Sequence, residues 1–294
     1  MALHVDAGGS AGAFAAATAG GQIAVQRFSV DGALGEAGAQ LACEAEPSVA
    51  FAAGKGPVSA LCGTNGLARL AAGGERNDLG IFDAETGERV WVAKQPKFTW
   101  PLPLPVPYVA SAAFLDGHEG GNVVAVGTGS HEVRLYDTRA SRRPVWRTDF
   151  GECRIACVCA EPPGGPSRIF AATGAGAVGA FDLRQGGAMV GGYKGAQGGV
   201  RALARHPSEG WLAAAGLDRW LRVYDANSRK LRAKVYMKQS MTGVGFDMRE
   251  APIATPEAEG DAGGDRAPRK KAAASGEVDD GHGGVKKKRR KREE

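Results

Sequence analysis

The chain has 294 residues, of which 45 are Gly and 15 Pro, with 43% hydrophobic residues and a formal net charge of +5. That density of Gly and Pro excludes a protein of long helices, because a Gly in a helix interior costs about 1 kcal/mol and a Pro about 3. No apolar run nears the roughly 18 residues that span a bilayer, and the N-terminus MALHVDAGGS carries an early Asp and no basic stretch, so the chain reads as soluble, without membrane or secretory signals.

In chain order, one phrase recurs: a strand of small residues, a tight turn containing Gly, and a strand that ends in an aromatic residue and usually Asp. Its instances are AAATAGGQIAVQRFS (15–29), RLAAGGERNDLGIFD (69–83), VVAVGTGSHEVRLYD (123–137), FAATGAGAVGAFD (170–182) and LAAAGLDRWLRVYD (212–225). The terminal aromatics Phe28, Phe82, Tyr136, Phe181 and Tyr224 stand 54, 54, 45 and 43 residues apart. A further strand follows each phrase, such as ERVWVAK after Phe82, and another precedes the later ones, such as GGVRALARHP before Trp211. Four strands per repeat with no helical pattern between them is the unit of a β-propeller.

Within that unit the Ala- and Gly-rich strands FAAAT, FAAT and LAAAG are expected to lie nearest the central channel. Bulkier outer strands carry Trp91, Trp146 and Val235, and the aromatic before Asp is expected to pack between blades. Asp83, Asp137, Asp182 and Asp225 recur once per repeat, which marks them as turn formers whose short side chains bond their own backbone; Asp218 is read the same way. Arg222, on the strand after Asp218, is expected to project to the surface as a partner-binding residue.

Two other features of the body invite a partner. The Pro-rich insertion KQPKFTWPLPLPVPYV (94–109) offers Phe98, Trp100 and Tyr108, bulky groups of the kind that anchor interfaces; the alternative is that it lies flat and seals two blades. Arg139, Arg142 and Arg143 in TRASRRP form a small basic loop that is either a phosphate contact or a solvated turn. The five cysteines, Cys43, Cys62, Cys153, Cys157 and Cys159, are an odd, scattered set, which suits a reducing compartment; Cys157 and Cys159 share one face of a strand, where Cys is a small buried hydrophobe. There is no GxSxG elbow, no HExxH, no Gly-rich loop before a helix and no paired His or Cys at ligand spacing, so no catalytic residue, cofactor, metal or small-molecule substrate is expected.

From about residue 248 the composition changes. The stretch from Ala251 to the end holds 11 Lys and Arg and 9 Asp and Glu with no aromatic residue, and is expected to be disordered. Its cations are segregated into Arg269, Lys270 and Lys271, then Lys286, Lys287, Lys288, Arg289, Arg290, Lys291 and Arg292, a pattern that fits a bipartite nuclear signal or an RNA-phosphate patch as well as a solubilising end. The chain therefore divides into an all-β propeller over 1–247 and a basic tail over 248–294.

The repeat resembles the WD-repeat, with Phe-Asp or Tyr-Asp where Trp-Asp is usual. More particularly, GTGSHEVRLYDTRASRRPV (127–145), FDLRQGGAMVGGYKGAQGGVRALARHPSEGWLAAAGLDRWLRVYD (181–225) and KVYMKQ (234–239) resemble the nucleolar WD repeat-containing protein 74 family, also called the Nsa-one family. The resemblance implies a seven-bladed WD-repeat propeller, whereas five inner phrases are visible here. Either two N-terminal blades are absent, the favoured reading, or MTGVGFDM (241–248) completes the first blade and closes a ring of five. It further implies a non-enzymatic scaffold in large-subunit ribosome assembly and pre-rRNA processing in the nucleus and nucleolus. Its partners would be assembly factors of the 60S precursor, pre-ribosomal RNA held through the tail, and an AAA-type ATPase that releases the protein. The rival reading is a nuclear WD-repeat adaptor for chromatin or a ubiquitin ligase.

Overall fold

Short runs of small and branched residues broken by Gly, Asn and Asp favour antiparallel strands joined by tight turns. The computed structural model, which describes residues 2–5, 11–18, 20–31, 40–43, 47–54, 56–96, 106, 108–115 and 121–246, has that form throughout. Those residues make 21 strands and two single turns of 3-10 helix, in five antiparallel sheets.

Blade one contains β1 (Ala2–Val5), β2 (Ala11–Ala17), β3 (Gln22–Asp31), β4 (Gln40–Cys43) and β5 (Val49–Ala52). Its long third strand pairs with β5 along its first half and with β4 along its second. Blade two is the meander β6 (Val58–Gly63), β7 (Arg69–Gly74), β8 (Asn77–Asp83) and β9 (Arg89–Val92). Blade three repeats it with β10 (Val109–Phe114), β11 (Val123–Thr128), β12 (Glu132–Asp137) and β13 (Trp146–Asp149). Blade four follows with β14 (Ile155–Ala160), β15 (Arg168–Thr173), β16 (Val178–Asp182) and β17 (Ala188–Tyr193), and blade five with β18 (Val200–Arg205), β19 (Trp211–Gly216), β20 (Trp220–Asp225) and β21 (Leu231–Tyr236).

The first strands β6, β10, β14 and β18 are the ones that meet across successive blades, so they stand nearest the axis. This corrects the expectation from the small-residue runs: FAAT and LAAAG belong to β15 and β19, and FAAA to β2, one strand further out. The reason for Ala there is different. A second strand is covered on both faces by neighbouring blades, as the unbroken burial of Ala71, Ala72, Ala171, Ala172, Ala213, Ala214 and Ala215 shows. Small side chains let the blades approach; at Gly74 and Gly216 a Cβ would collide with the carbonyls of Pro57 and Gly199, the residues that lead into the first strands β6 and β18.

Among the described residues four apolar clusters form the core, each shared by two successive blades. In blades two to five the aromatic near the end of the third strand is central to its cluster. Phe82 meets Phe51 of blade one at 5.0 Å, Tyr136 meets Trp91 of blade two at 5.9 Å, Phe181 meets Phe150 of blade three at 5.3 Å, and Tyr224 meets Tyr193 of blade four at 5.3 Å. Each of these four is buried, and burial of a side chain of that size contributes about 1.5–3 kcal/mol. Polar latches lie over the same seams: Arg69 donates to Asn122 Oδ1 at 2.8 Å, Arg168 donates to Asn227 Oδ1 at 2.7 Å, and the Tyr193 hydroxyl donates to the Ala226 carbonyl at 2.8 Å.

Residues 241–246 form no strand; Met241 N–H donates to the Gly216 carbonyl at 3.2 Å and the Phe246 ring stands edge-on to His206 at 5.0 Å. The alternative in which this segment supplies a strand to blade one is therefore set aside for 241–246. Asp247 and Met248 lie outside the described residues.

Candidate interaction surfaces

An extra residue interrupts the start of each first strand in blades two to five. The pairing with the second strand skips from Val58 to Ala60, Val109 to Ser111, Ile155 to Cys157 and Val200 to Ala202. A β-bulge turns the skipped side chain away from the regular alternation. The skipped residues Ser59, Ala110, Ala156 and Arg201 all line one cavity of about 490 Å³, together with Tyr108, Arg154 and Leu217. Three of the four bulge residues are small, which leaves the space open. Arg154 and Arg201 are exposed at its rim and make no ion pair among the described residues, so the mouth favours anionic groups.

The turns around this mouth share a device. At the end of the second strand, Thr18, Thr128 and Thr173 accept through Oγ1 from the backbone N–H four residues on, at 3.2, 3.0 and 3.1 Å. At the corresponding turn of blade five, Asp218 takes over: its carboxylate accepts from Trp220 N–H at 3.2 Å and Gln197 N–H at 3.4 Å, and pairs with Arg222 at 2.6 Å. Burial alone would push the Asp218 carboxyl up, but these donors and the guanidinium hold it below the usual carboxylate range. The expectation that Arg222 reaches the surface is corrected here. It is 3% exposed, because β20 turns it inward, alongside Tyr224, against blade four.

The Asp residues that end the third strands accept from their own turns. Asp83 takes Glu85 and Thr86 N–H at 2.8 and 3.1 Å, Asp137 takes Arg139 N–H at 2.9 Å, Asp182 takes Arg184 N–H at 2.9 Å, and Asp225 takes Asn227 and Ser228 N–H at 3.0 and 2.8 Å. The Ser228 and Asn227 amides and the Arg232 guanidinium draw the Asp225 carboxyl down to about 2. Main-chain amides from Thr86 and Glu85 lower Asp83 in the same way.

Of the Pro-rich insertion, Phe98 and Trp100 lie outside the described residues. Tyr108 is half-buried: its ring lies over Gly129, its carbonyl accepts from Gly129 N–H at 2.9 Å, and it bridges to Glu75. In the basic loop the three arginines differ. Arg142 is a clamp, with Nε donating to the Val92 carbonyl at 2.7 Å and its own carbonyl accepting from Lys94 N–H at 2.6 Å, which ties blade three to blade two. Arg139 leans on Asp137 at 3.5 Å, and Arg143 is exposed beside Pro96, Trp146 and Arg147. The tail cations Arg269, Lys270, Lys271 and 286–292 lie outside the described residues.

Cys157 and Cys159 pack among apolar side chains of blades four and five. Burial pushes their thiols up, to about 12 and about 11, so both are protonated and inert at neutral pH. Among the described residues no group of three or more His, Cys, Asp or Glu could hold a metal ion, and no helix is long and apolar enough to cross a membrane. The opposite end of the first strands of blades four and five carries a pair that spacing in the sequence does not reveal. Glu161 and Arg205 meet at 2.6 Å, both almost fully buried, and Arg205 also donates to the carbonyls of His206 and Trp211.

No family model matches the chain. Over 176 residues it is 40% identical to human WD repeat-containing protein 74, 37% identical to the cow protein of that name and 35% to the mouse protein. The matched region is 58% of this chain and 44% of each relative, so the chain spans about half the length of the curated relatives it matches. The similarity that the residues carry is therefore found in three mammals: the chain is a WD-repeat β-propeller similar to WD repeat-containing protein 74.

Proposed function

We propose that the protein is a non-enzymatic scaffold of the nucleolus that acts in assembly of the large ribosomal subunit and in pre-rRNA processing. The observation that carries this reading is the similarity to WD repeat-containing protein 74 across 176 residues. The architecture suits the role. Blades braced through four shared cores hold loops at fixed positions, which is what a platform for several assembly factors of the 60S precursor needs. The cation block 286–292 adds salt-dependent, sequence-indifferent affinity for pre-ribosomal RNA and a nuclear address. Release by an AAA-type ATPase completes the proposed cycle.

Depletion followed by sucrose-gradient sedimentation with rRNA probing tests the proposal. Mature large subunits should fall relative to small ones and large-subunit precursor RNA should accumulate; an unchanged ratio refutes it. Recovery of histones or ubiquitin-ligase subunits in place of precursor rRNA would replace it with the nuclear adaptor reading. Removal of 286–292 should disperse the protein from nucleoli, and unchanged localisation would remove the tail from the proposal.

A further inference from the structure

Charge in the body is close to balanced, but its distribution is not. Residues 1–250 hold 26 Lys and Arg against 23 Asp and Glu. Five of those cations, Arg229, Lys230, Arg232, Lys234 and Lys238, fall within ten residues on and beside β21, and no acidic residue occurs from 226 to 246. Without them the body would hold 21 cations against 23 acids, so its entire positive excess sits on and beside the last strand of blade five.

Among the described outer strands of blades two to five, that strand is also the most open. All six residues of β21 are exposed, whereas β9 and β13 are half-buried at two positions each and β17 buries Tyr193. Leu231, Val235, Tyr236 and the adjoining Met237 are 44–51% exposed. Cations and rings alternate across it. Lys234 Nζ lies 4.1 Å from the Trp220 ring centroid, Trp220 and Tyr236 stand 4.9 Å apart, and the Arg219 guanidinium lies 5.6 Å from the Tyr236 ring. On the other face Arg232 reaches Asp225 at 3.1 Å and lies 5.8 Å from Trp211. Lys230 and Lys238 make no ion pair among the described residues.

Lysine on an outer strand also deters edge-to-edge pairing. That use alone does not account for the cluster, because β17 is an equally outer strand with no charge and exposed Met189 and Val190. Cations interleaved with aromatic faces are instead what an unpaired nucleic-acid strand requires: phosphates track the charges while bases stack on rings and on guanidinium planes. A duplex keeps its base faces inside and would use the charges only.

We propose that the outer edge of blade five, Arg219 with Trp220 and the run 229–238, binds single-stranded RNA. The proposal rests on the reading of the protein as an RNA-associated assembly factor, and adds to the tail a contact that is fixed in position on the propeller.

The test is fluorescence anisotropy of the full chain with a labelled 20-nucleotide oligouridine across a salt series. A parent in which Lys286 to Arg292 are all changed to Gln removes the contribution of the tail. In that parent, Lys230→Gln/Lys234→Gln/Lys238→Gln should lower affinity roughly tenfold or more at 0.1 M salt and flatten the salt slope by about 2, three phosphates at about 0.7 each. Replacing the three lysines by Arg should restore both. Tyr236→Ala should cost roughly five- to 150-fold, the range of one lost base stack, and an RNA duplex of equal charge should bind more weakly than the single strand. Unchanged affinity and slope in the Gln variant overturn the proposal while leaving the tail's role standing. Binding of polyglutamate with the same dependence on Lys230, Lys234 and Lys238 overturns it in favour of an acidic protein partner. Absence of RNA binding by the unaltered chain refutes the underlying reading as well.

Discussion

Loss of Arg222 should be among the most damaging single changes in the propeller, although it removes a charge from a basic protein. Its guanidinium meets Asp218 at 2.6 Å, with the two side chains 4% and 11% exposed, and the same carboxylate also accepts from the amides of Trp220 and Gln197. Arg222→Met keeps most of the side-chain volume but leaves Asp218 without its counter-charge. Breaking a buried pair in this way costs about 3–5 kcal/mol, a large part of the roughly 5–15 kcal/mol that holds a domain together. For a body of this size that corresponds to a Tm lowered by roughly 6–20 °C. Urea unfolding followed by tryptophan fluorescence, with a thermal scan, measures both quantities. The cost should come from the stranded carboxylate and not from lost packing, so Asp218→Asn/Arg222→Met should recover most of it. A loss below about 1 kcal/mol for Arg222→Met, or a double variant whose loss equals the sum of the singles, would refute this account of the pair.

The seams between blades make a second expectation: Phe181→Ala should cost about 3–5 kcal/mol, because the ring fills the space between Phe150 and Trp146, and urea titration reads it directly. Acid should unfold the propeller through its turns. Asp83, Asp218 and Asp225 have carboxyls lower in the fold than in the unfolded chain, so their contribution is complete above about pH 5 and is lost as pH falls toward about 2 for Asp225. Asp225→Asn should therefore flatten the drop in Tm between pH 4.5 and 2.5, and an unaltered slope would count against the turn's role. In alkylation at pH 8 under native conditions, Cys153 should react within minutes while Cys157 and Cys159 stay unmodified until the chain is denatured; peptide mass mapping distinguishes the three. Gly216→Ala should destabilise markedly, since the added methyl collides with the Gly199 carbonyl and neither backbone can withdraw without opening the first strand of blade five.

The repeat was legible because it is written in local chemistry. Each third strand ends in an aromatic and an Asp whose carboxylate closes its own turn within three residues, so Phe82-Asp83 and Tyr224-Asp225 read out their geometry from adjacent positions. The order of strands across a blade is a different matter. Ala213 to Ala215 are small because blades press on both faces, and nothing in the run distinguishes that from proximity to an axis. Arg222 shows a similar limit: an Arg near a turn reads as solvent-facing, and only the pairing of β20 with β19 and β21 decides which side it takes. Glu161 and Arg205 are 44 residues apart, a partnership that the fold alone creates. The basic edge of blade five is five cations within ten residues, and acids elsewhere in the body cancel them in the net charge.

The recurrent bulge separates two tasks that a regular strand would confound. In an uninterrupted ladder every side chain alternates between the two packed faces, and a change of residue disturbs one seam or the other. Ser59, Ala110, Ala156 and Arg201 sit outside that alternation, at equivalent places in four blades. Each can be exchanged for a residue of another size or charge at little expense to the seams beneath. The mouth of the propeller is thus a set of four independently writable letters on a fixed page, and new specificity can be installed there one blade at a time.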